Sequence, residues 1–379
     1  MLAYSPYVQL LTNSGCFERL IEAVSISDSH NEPDIKVLLE HFYRHVFYRE
    51  SPPFPEDVPT HPLLVVDYEL LKVNDEDEIA KLWKAATELG FWYLKNHGAD
   101  EEVKKMFDMG AETMALPFEE KMKFEQGDDG MSCGYKAAGA NATDETGALD
   151  TVEFINVSKD DALGWPKPVH RVYPSTVNAR MESTIIPFIR KSIDVNTTLL
   201  EIFNGLLGLP RNPPRPEGIS EKKAALGAHT DFGSLSFLHN RLGGLQVMVP
   251  GTDKWQYVKP ISGHAICNLG DAMTIFSGGI LKSNLHRVVP PPGAQSQYER
   301  WSLVYFTRPG NTVILNALTE DSPMIADAII KAADAGIFNS GQTASEWFAR
   351  RTKNQRAKNQ KGAETWRASR GTEHRASAA

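Results

Sequence analysis

Two textures of apolar patterning succeed each other along the chain. From Leu63 to Leu207 short apolar runs alternate with stretches of helical period, and from Leu226 to Pro309 only short runs remain. Leu63-Leu-Val-Val-Asp67 is short, apolar and β-branched, which predicts a buried strand. Asn74-Asp-Glu-Asp-Glu78 then supplies a cap and an acidic first turn for a helix through Ile79, Leu82, Trp83 and Ala86, ending near Gly90. Phe91-Trp-Tyr-Leu94 reads as a second strand, stopped by Asn96-His97-Gly98. Asp100 is placed to cap a helix carrying Val103, Met106, Phe107 and Gly110 on one face. Thr184 to Leu207 predicts a further helix, with Pro187 in its first turn or at a kink. In the second half, Leu235–Leu238, Leu245–Val249, Trp255–Val258, Ala265–Asn268, Met273–Phe276, His286–Val289 and Trp301–Phe306 follow one another, with Gly, Pro, Asn or Asp between them. Short strands at such spacing imply a sandwich or barrel, most naturally a jelly roll.

The remaining segments carry weaker patterns. Residues 1–60 read as a peripheral N-terminal extension. Leu38–Tyr43 makes at most a turn of amphipathic helix there, and the Pro-rich Ser51–Pro59 is an extended linker. Residues 127–150, rich in Gly, Ala, Asp and Thr, form a long loop of the kind usually tied to function or motion. Ala344-Ser-Glu-Trp-Phe-Ala-Arg-Arg-Thr352 predicts a helix. Residues 343–379 hold nine Lys/Arg against three Glu, a pattern that suits a solvated terminal helix and a frayed end. The expected division is 1–60, an N-terminal region over 61–180, the jelly-roll core over 181–310, and a C-terminal helical region with its basic tail over 311–379.

Composition narrows the class without changing this picture. The 379 residues are 41% hydrophobic and 23% charged, ordinary for a globular protein, and the net charge of -8 gives no electrostatic reason to expect a nucleic acid. Cys16, Cys133 and Cys267 lie far apart with no C-x-x-C, which argues against a disulfide framework or a zinc ribbon and suits a reducing compartment. No secretory pattern opens the chain and no apolar run approaches the ~20 residues that span a bilayer. The expectation is a cytoplasmic monomer without a membrane partner. The two Asn-x-Thr matches, at Asn141 and Asn196, are then chance matches.

Candidate chemistry sits in the strand-rich half. His229-Thr-Asp231 is followed, after 54 intervening residues, by His286. Two imidazoles and one carboxylate can form a facial ligand set that leaves three positions of an iron ion open. A His-x-Asp tripeptide alone is weak evidence, since surface His and Asp are common. Fourteen residues beyond His286 stand Arg300 and Ser302, on one face of a strand by period two. A buried guanidinium beside a hydroxyl clamps a carboxylate well, although a surface salt bridge to Glu299 would equally explain Arg300. His97 suits a strand-ending turn better than a metal, and neither His239 nor His264 is put forward as a ligand.

The motifs around these residues resemble the isopenicillin N synthase-like group of 2-oxoglutarate/Fe(II) dioxygenases over roughly residues 60–310. Leu64-Val-Val-Asp67, Gly90-Phe-Trp-Tyr-Leu-Lys-Asn-His-Gly98 and Ala115-Leu-Pro-Phe-Glu-Glu-Lys121 resemble the family's N-terminal region. Gly227-Ala-His-Thr-Asp-Phe-Gly-Ser-Leu235, Gly243-Gly-Leu-Gln-Val247, Asn268-Leu-Gly-Asp271, Ser283-Asn-Leu-His-Arg-Val288 and Arg300-Trp-Ser302 resemble its catalytic core. The resemblance implies a double-stranded β-helix (jelly roll, cupin-like) core, mainly β with flanking helices, an α/β N-terminal region and a C-terminal helix. It implies Fe(II) on His229, Asp231 and His286, 2-oxoglutarate held by Arg300 and Ser302, dioxygen as oxidant and ascorbate in support. The activity implied is hydroxylation, desaturation or ring closure of a small organic molecule, in specialised metabolism. Tyr135, Phe154, Phe237 and Phe306 are candidates for the substrate pocket, though each equally suits core packing. Two alternatives stand beside this reading: an oxidase of the same fold that needs no 2-oxoglutarate, and a degenerate jelly roll that only binds a partner. One departure bears on them. Family members place a strand shortly before His-x-Asp, whereas the Pro-rich 208–218 segment stands there and cannot be a central strand. Either the sheet lacks a strand or another segment supplies it.

Overall fold

In the computed structural model, residues 51–130, 132–210 and 228–372 are described in full, together with the backbone of residues 7–13. The strands of the two larger sheets are β1 Tyr7–Asn13, β2 Val65–Asp67, β3 Phe91–Lys95, β4 Gly134–Lys136, β5 Val152–Ser158, β6 Leu235–Asn240, β7 Leu245–Met248, β8 Trp255–Tyr257, β9 His264–Leu269, β10 His286–Val288 and β11 Trp301–Thr307. The helices that matter below are α1 Glu76–Glu88, α2 Asp100–Met114, α3 Ile186–Leu206, α4 Asp271–Phe276, α5 Ala344–Gln355 and α6 Ala363–Ala368. A large sheet runs β2-β3-β9-β6-β11-β1-β5-β4 and a small one β10-β7-β8.

Strict alternation along the large sheet builds two cores, because successive side chains point to opposite faces. Phe91, Tyr93, Leu238, Ile266 and Val304 face inward and meet Leu245, Val247 and Val258 of the small-sheet side. Trp92, Leu94, Leu235, Phe237, Cys267, Leu303 and Tyr305 face outward into a larger core with Leu82 of α1, Met106 of α2, and Ile189 and Phe203 of α3. Burial on both faces is why Phe91–Leu94 reads as an unbroken apolar run. The two-sheet core with helices outside is the jelly roll expected from the spacing of runs.

Several local expectations hold in detail. Asp75 caps α1 by accepting a hydrogen bond from the Glu78 amide at 2.9 Å, and Pro187 sits in the first turn of α3. The helix at Ala344 starts with a capping box between Thr343 and Glu346. The Ser51–Pro59 linker has no helix or strand but bends at residues 56–58, and the Pro59 carbonyl accepts from the Tyr257 amide at 2.8 Å. His97 ends its strand as a turn residue, its Nδ1 accepting from the Ala99 amide at 3.2 Å. Asn141 and Asn196 are buried and so closed to glycosylation.

Others are corrected. Met273–Phe276 is not a strand but the body of α4, buried apart from a half-buried Thr274. A four-residue apolar run cannot distinguish strand from buried helix by period, and the Gly270 turn decides it by delivering the Asp271 amide to the Asp231 carbonyl at 2.8 Å. Asp100 is the first residue of α2 rather than its cap; Ala99 occupies the cap without a side-chain bond. The 127–150 loop contains β4, which pairs with β5.

The largest correction concerns residues 1–60. Tyr7–Asn13 is no peripheral extension but an interior strand, antiparallel to β11 on one side and β5 on the other, with Leu11 opposite both Ser302 and Phe154. Another segment therefore supplies a strand beside β11. Leu38–Tyr43 and residues 211–218 of the Pro-rich segment lie outside the described residues.

The basic tail is corrected too. Arg351, Arg356 and Arg370 are buried rather than solvated. Arg351 pairs with Asp271, and Arg356 with Glu125 and with Asp128 at 2.6 Å. The net excess of positive charge hid acceptors supplied by distant segments. No helix among the described residues is long and apolar enough to cross a membrane.

Two expectations follow. Leu10→Pro removes a ladder bond from an interior strand and costs on the order of 3 kcal/mol. It should lower Tm by roughly 4 °C in calorimetry; an unchanged Tm would place the strand elsewhere. Separately, burial lowers the pKa of both His97 and His239 from the ordinary value, with neighbouring Asp100 opposing this for His97. Their rings lie 5.2 Å apart. The unfolded chain then takes up more protons below pH ~6.5, so stability contributed by the neutral rings is lost as pH falls, by up to about 1.4 kcal/mol per unit for each ring. Denaturant midpoints between pH 7.5 and 5 should fall less steeply in His239→Leu than in the parent.

Candidate metal centre

Backbone pairing brings the candidate ligands together. His229 and His286 stand directly opposite in an antiparallel bridge and exchange both amide-to-carbonyl bonds, at 3.0 and 2.9 Å. Directly opposed residues share a face, and the two imidazole centroids are 4.4 Å apart. Asp231, two residues on, returns to the same side. Its Oδ1 is 3.6 Å from Nε2 of each histidine, and one donor atom from each residue lies within 4.8 Å of the others. All three residues are buried. Among the described residues this is the one grouping of three or more such side chains able to hold a metal ion.

Neighbouring groups decide which atoms are presented. Oδ2 of Asp231 accepts from Ser236 Oγ and from Asn268 Nδ2 at 2.6 Å, leaving Oδ1 as the atom that faces the histidines. Nδ1 of His286 lies 3.1 Å from the Asn284 carbonyl. That acceptor takes a hydrogen bond from Nδ1, which leaves Nε2 as the ring atom that faces Asp231. Phe91 closes one side, its ring centroid 5.3 Å from that of His286. Burial works against ionisation of Asp231, yet His286, His229 and the Ser236 hydroxyl together hold its carboxyl well below the usual carboxylate range. Two imidazole nitrogens and one monodentate carboxylate oxygen are the donor set that fits a ferrous ion with three open positions.

Arg300 and Ser302 form a second polar cluster on the inner face. Arg300 is buried; its Nε donates to the Gly243 carbonyl at 2.7 Å and its Nη1 to Ser302 Oγ at 2.6 Å. Gly244 has φ +110°, and a Cβ there would come within 2.5 Å of the Val289 carbonyl oxygen and 3.0 Å of Arg300 Nε, so the position suits glycine. Burial lowers its pKa to about 10, which keeps it cationic at neutral pH. The surface pairing with Glu299 considered from the sequence is not what anchors it; Glu299 accepts instead from Trp301 Nε1.

The four aromatic pocket candidates separate. Phe306 belongs to the inner core, and Phe154 shares the inner face with Ser302 through the β11-β1-β5 register. Tyr135 and Phe237 belong to the outer core, so their sequence-based assignment to a pocket is corrected. Tyr135 donates to Glu153, and Phe237 packs against His97 and His239. Period two along β6 carried the needed signal: Ser236 faces Asp231, so Phe237 must face away.

Sequence reasoning passed over Ser236 and Asn268 as individual positions. It also did not single out Lys136, fully buried on the inner face by its register with Phe154, paired to Asp150 and donating to the Val152 carbonyl at 2.6 Å. Burial brings the pKa of Lys136 down to about 8.

Comparison with known proteins bears on the family and the fold. The family model described as non-haem dioxygenase in morphine synthesis N-terminal matches residues 63–176, and that of the 2OG-Fe(II) oxygenase superfamily matches residues 209–309. The chain is 31% identical over 253 residues to a homoarginine-6-hydroxylase of Oryza sativa subsp. japonica, covering 57% of this chain and 75% of that one. It is 26% identical over 353 residues to a 2-oxoglutarate-dependent dioxygenase of Aspergillus fumigatus, covering 80% and 91%. A full-length Neurospora crassa protein, crystallised in complex with alpha-KG, superposes with a TM-score of 0.58 at 22% identity, over 80% of this chain and 99% of that one, a likeness of fold.

The Asn268 and Ser236 bonds generate a prediction. In Asn268→Ala, Oδ2 of Asp231 loses one of its two donors and the carboxylate is held by Ser236 alone. Mn(II) affinity measured by calorimetry on the apoprotein should fall about 10- to 100-fold, and unchanged affinity would remove Asn268 from any part in holding the site.

Proposed function

Because the chain belongs to the 2-oxoglutarate/Fe(II) oxygenase superfamily, we propose that His229, Asp231 and His286 hold its iron, that Arg300 and Ser302 hold 2-oxoglutarate, and that the enzyme oxidises a C–H bond of a small organic molecule. The observation that carries the residue assignment is the convergence of Oδ1 of Asp231 with two imidazole Nε2 atoms, with Oδ2 already engaged elsewhere. Iron bound there, with 2-oxoglutarate, supplies the power to turn dioxygen on a substrate C–H bond as the co-substrate becomes succinate and carbon dioxide.

The chain's own residues contribute geometry and exclusion of water. The His229–His286 bridge sets the spacing of the two imidazoles, and Ser236 and Asn268 set the rotation of the carboxylate. Arg300 offers a fixed cation, its guanidinium oriented by Gly243 and Ser302, to the far carboxylate of a dicarboxylic acid. Register separates the two clusters by four positions along the same strand pair, from Phe306 opposite Ser236 to Ser302 opposite Asn240. That is on the order of 13 Å along the strands, which the inward-reaching side chains shorten from both ends. Leu238, Val304 and Phe306 line the interval with apolar surface and keep it dry. Phe154, on the same face two strands from Ser302, is placed on the substrate side, and specialised metabolism is the setting this reading favours.

Release of succinate in step with substrate consumption tests the activity, using a metabolite library to find the substrate; turnover without succinate would sink the co-substrate assignment. Arg300→Ala leaves the carboxylate unpaired and costs roughly 2–5 kcal/mol of binding. The KM for 2-oxoglutarate should therefore rise more than about 20-fold, and a KM near the parent's would detach Arg300 from the co-substrate.

A further inference from the structure

The turn that carries His229 and Asp231 has four successive carbonyls, and each receives a donor from a different place. The His286 amide bonds to the carbonyl of residue 229 and the Asp271 amide to that of residue 231. The other two donors come from the C-terminal segment. Arg370 Nη1 donates to the Ala228 carbonyl, and Arg351 Nη2 to the Thr230 carbonyl at 3.2 Å. The carbonyls on either side of His229 are thus held by two arginines that lie beyond residue 309, where the oxygenase family model ends.

Both arginines are themselves fixed. Arg351 on α5 is fully buried and pairs through Nη1 with Asp271, also fully buried. A buried ion pair costs more than it returns unless its remaining polar atoms are satisfied. Here Asp271 accepts from Thr230 Oγ1 and Ser283 Oγ, each at 3.0 Å, from the Thr372 amide at 3.3 Å and from the Thr372 hydroxyl. Gly371 lies so close to Asp271 and Arg351 that a Cβ there would overlap both. The Arg351 guanidinium also stacks 3.9 Å from the centroid of Phe232, the residue after Asp231, and Phe348 of α5 meets Phe232 edge-on at 5.5 Å. Arg370 is held 3.8 Å over Trp366 of α6. The segment from α5 to Thr372 is therefore built against the back of the ligand turn.

We propose that residues 344–372 form a strap that positions the metal-ligand turn, with Arg351 and Arg370 acting on the carbonyls that flank His229, and that this strap sets metal affinity. The inference rests on the reading of His229, Asp231 and His286 as ligands. Arg351 and Arg370 are positioning residues; neither is placed against metal or substrate. With the strap withdrawn, two carbonyls of the turn lose their donors and the turn can rotate His229 and Asp231 out of register with His286.

The test uses the full chain stripped of metal and titrated with Co(II), whose visible absorption reports ligand geometry, with the Tm of each apoprotein as a measure of fold. In Arg370→Ala the Co(II) Kd should rise about 10- to 100-fold and the absorption bands should shift, while apo Tm stays within about 2 °C of the parent. Arg370→Lys, which keeps a donor, should recover part of the affinity. Arg351→Lys and Gly371→Ala act on the Thr230 carbonyl through the second arginine and should weaken Co(II) in the same way. Parental Kd and spectrum in folded Arg370→Ala and Arg351→Lys would overturn the proposal. So would losses of affinity that merely track falls in apo Tm across the three sites, since these would assign the strap to stability alone. His229→Ala separates the two readings: if it binds Co(II) as tightly as the parent, the ligand assignment itself fails and the strap proposal with it.

Discussion

Much of the site depends on how the two oxygens of one buried carboxylate are divided. Asp231 sits where burial alone would favour its neutral form, and its ionisation is sustained only by the groups around it. Oδ2 is committed to Ser236 and Asn268, which stand opposite each other on β6 and β9. Oδ1 is thereby left to the two imidazoles. A carboxylate free to rotate would present either or both oxygens and blur the facial geometry. The large sheet thus does more than support the site: the register of β6 against β9 is what selects the donor atom.

The same register sorts the interior. Residues in step with Ser236 and Ser302 face the centre, and their neighbours by one position join the helix-packed core. Polar function and apolar stability are in this way carried by alternate residues of the same strands. Phe237 and Tyr305 brace the strands from outside, while Ser236, Ser302 and Phe306 act inside. Substitution by one position along β6 or β11 therefore changes which of the two cores is touched.

The legible part of the fold was the part whose signal is local. Period two and punctuation located most strands of the second half, a cap located α1, and His229, Asp231, His286, Arg300 and Ser302 could be put forward from motifs that resemble a family's. What escaped depends on partners far away in sequence. Tyr7–Asn13 has a strand-like composition, but nothing near it says that its neighbours are β5 and β11. Arg351 and Arg370 read as solvated charge because their acceptors, Asp271 and the carbonyl of Ala228, lie about 80 and 142 residues away. Met273–Phe276 failed for another reason, since a buried helix of one turn and a half has no polar face to betray its period.

Both ends of the described chain converge on the jelly roll from outside the residues that the family models match. Near the N-terminus, a strand is inserted next to β11, whose Ser302 forms the second polar cluster with Arg300 just before the strand; near the C-terminus, two arginines grip the turn that carries the first. A strand inserted between two others can be contributed by any segment long enough to reach, because backbone pairing makes few demands on sequence. The ligand turn is less permissive, since its carbonyls need donors at fixed positions and a buried guanidinium delivers several from one side chain. The core motifs therefore specify what the site is made of, and the distant ends specify how firmly its two clusters are held.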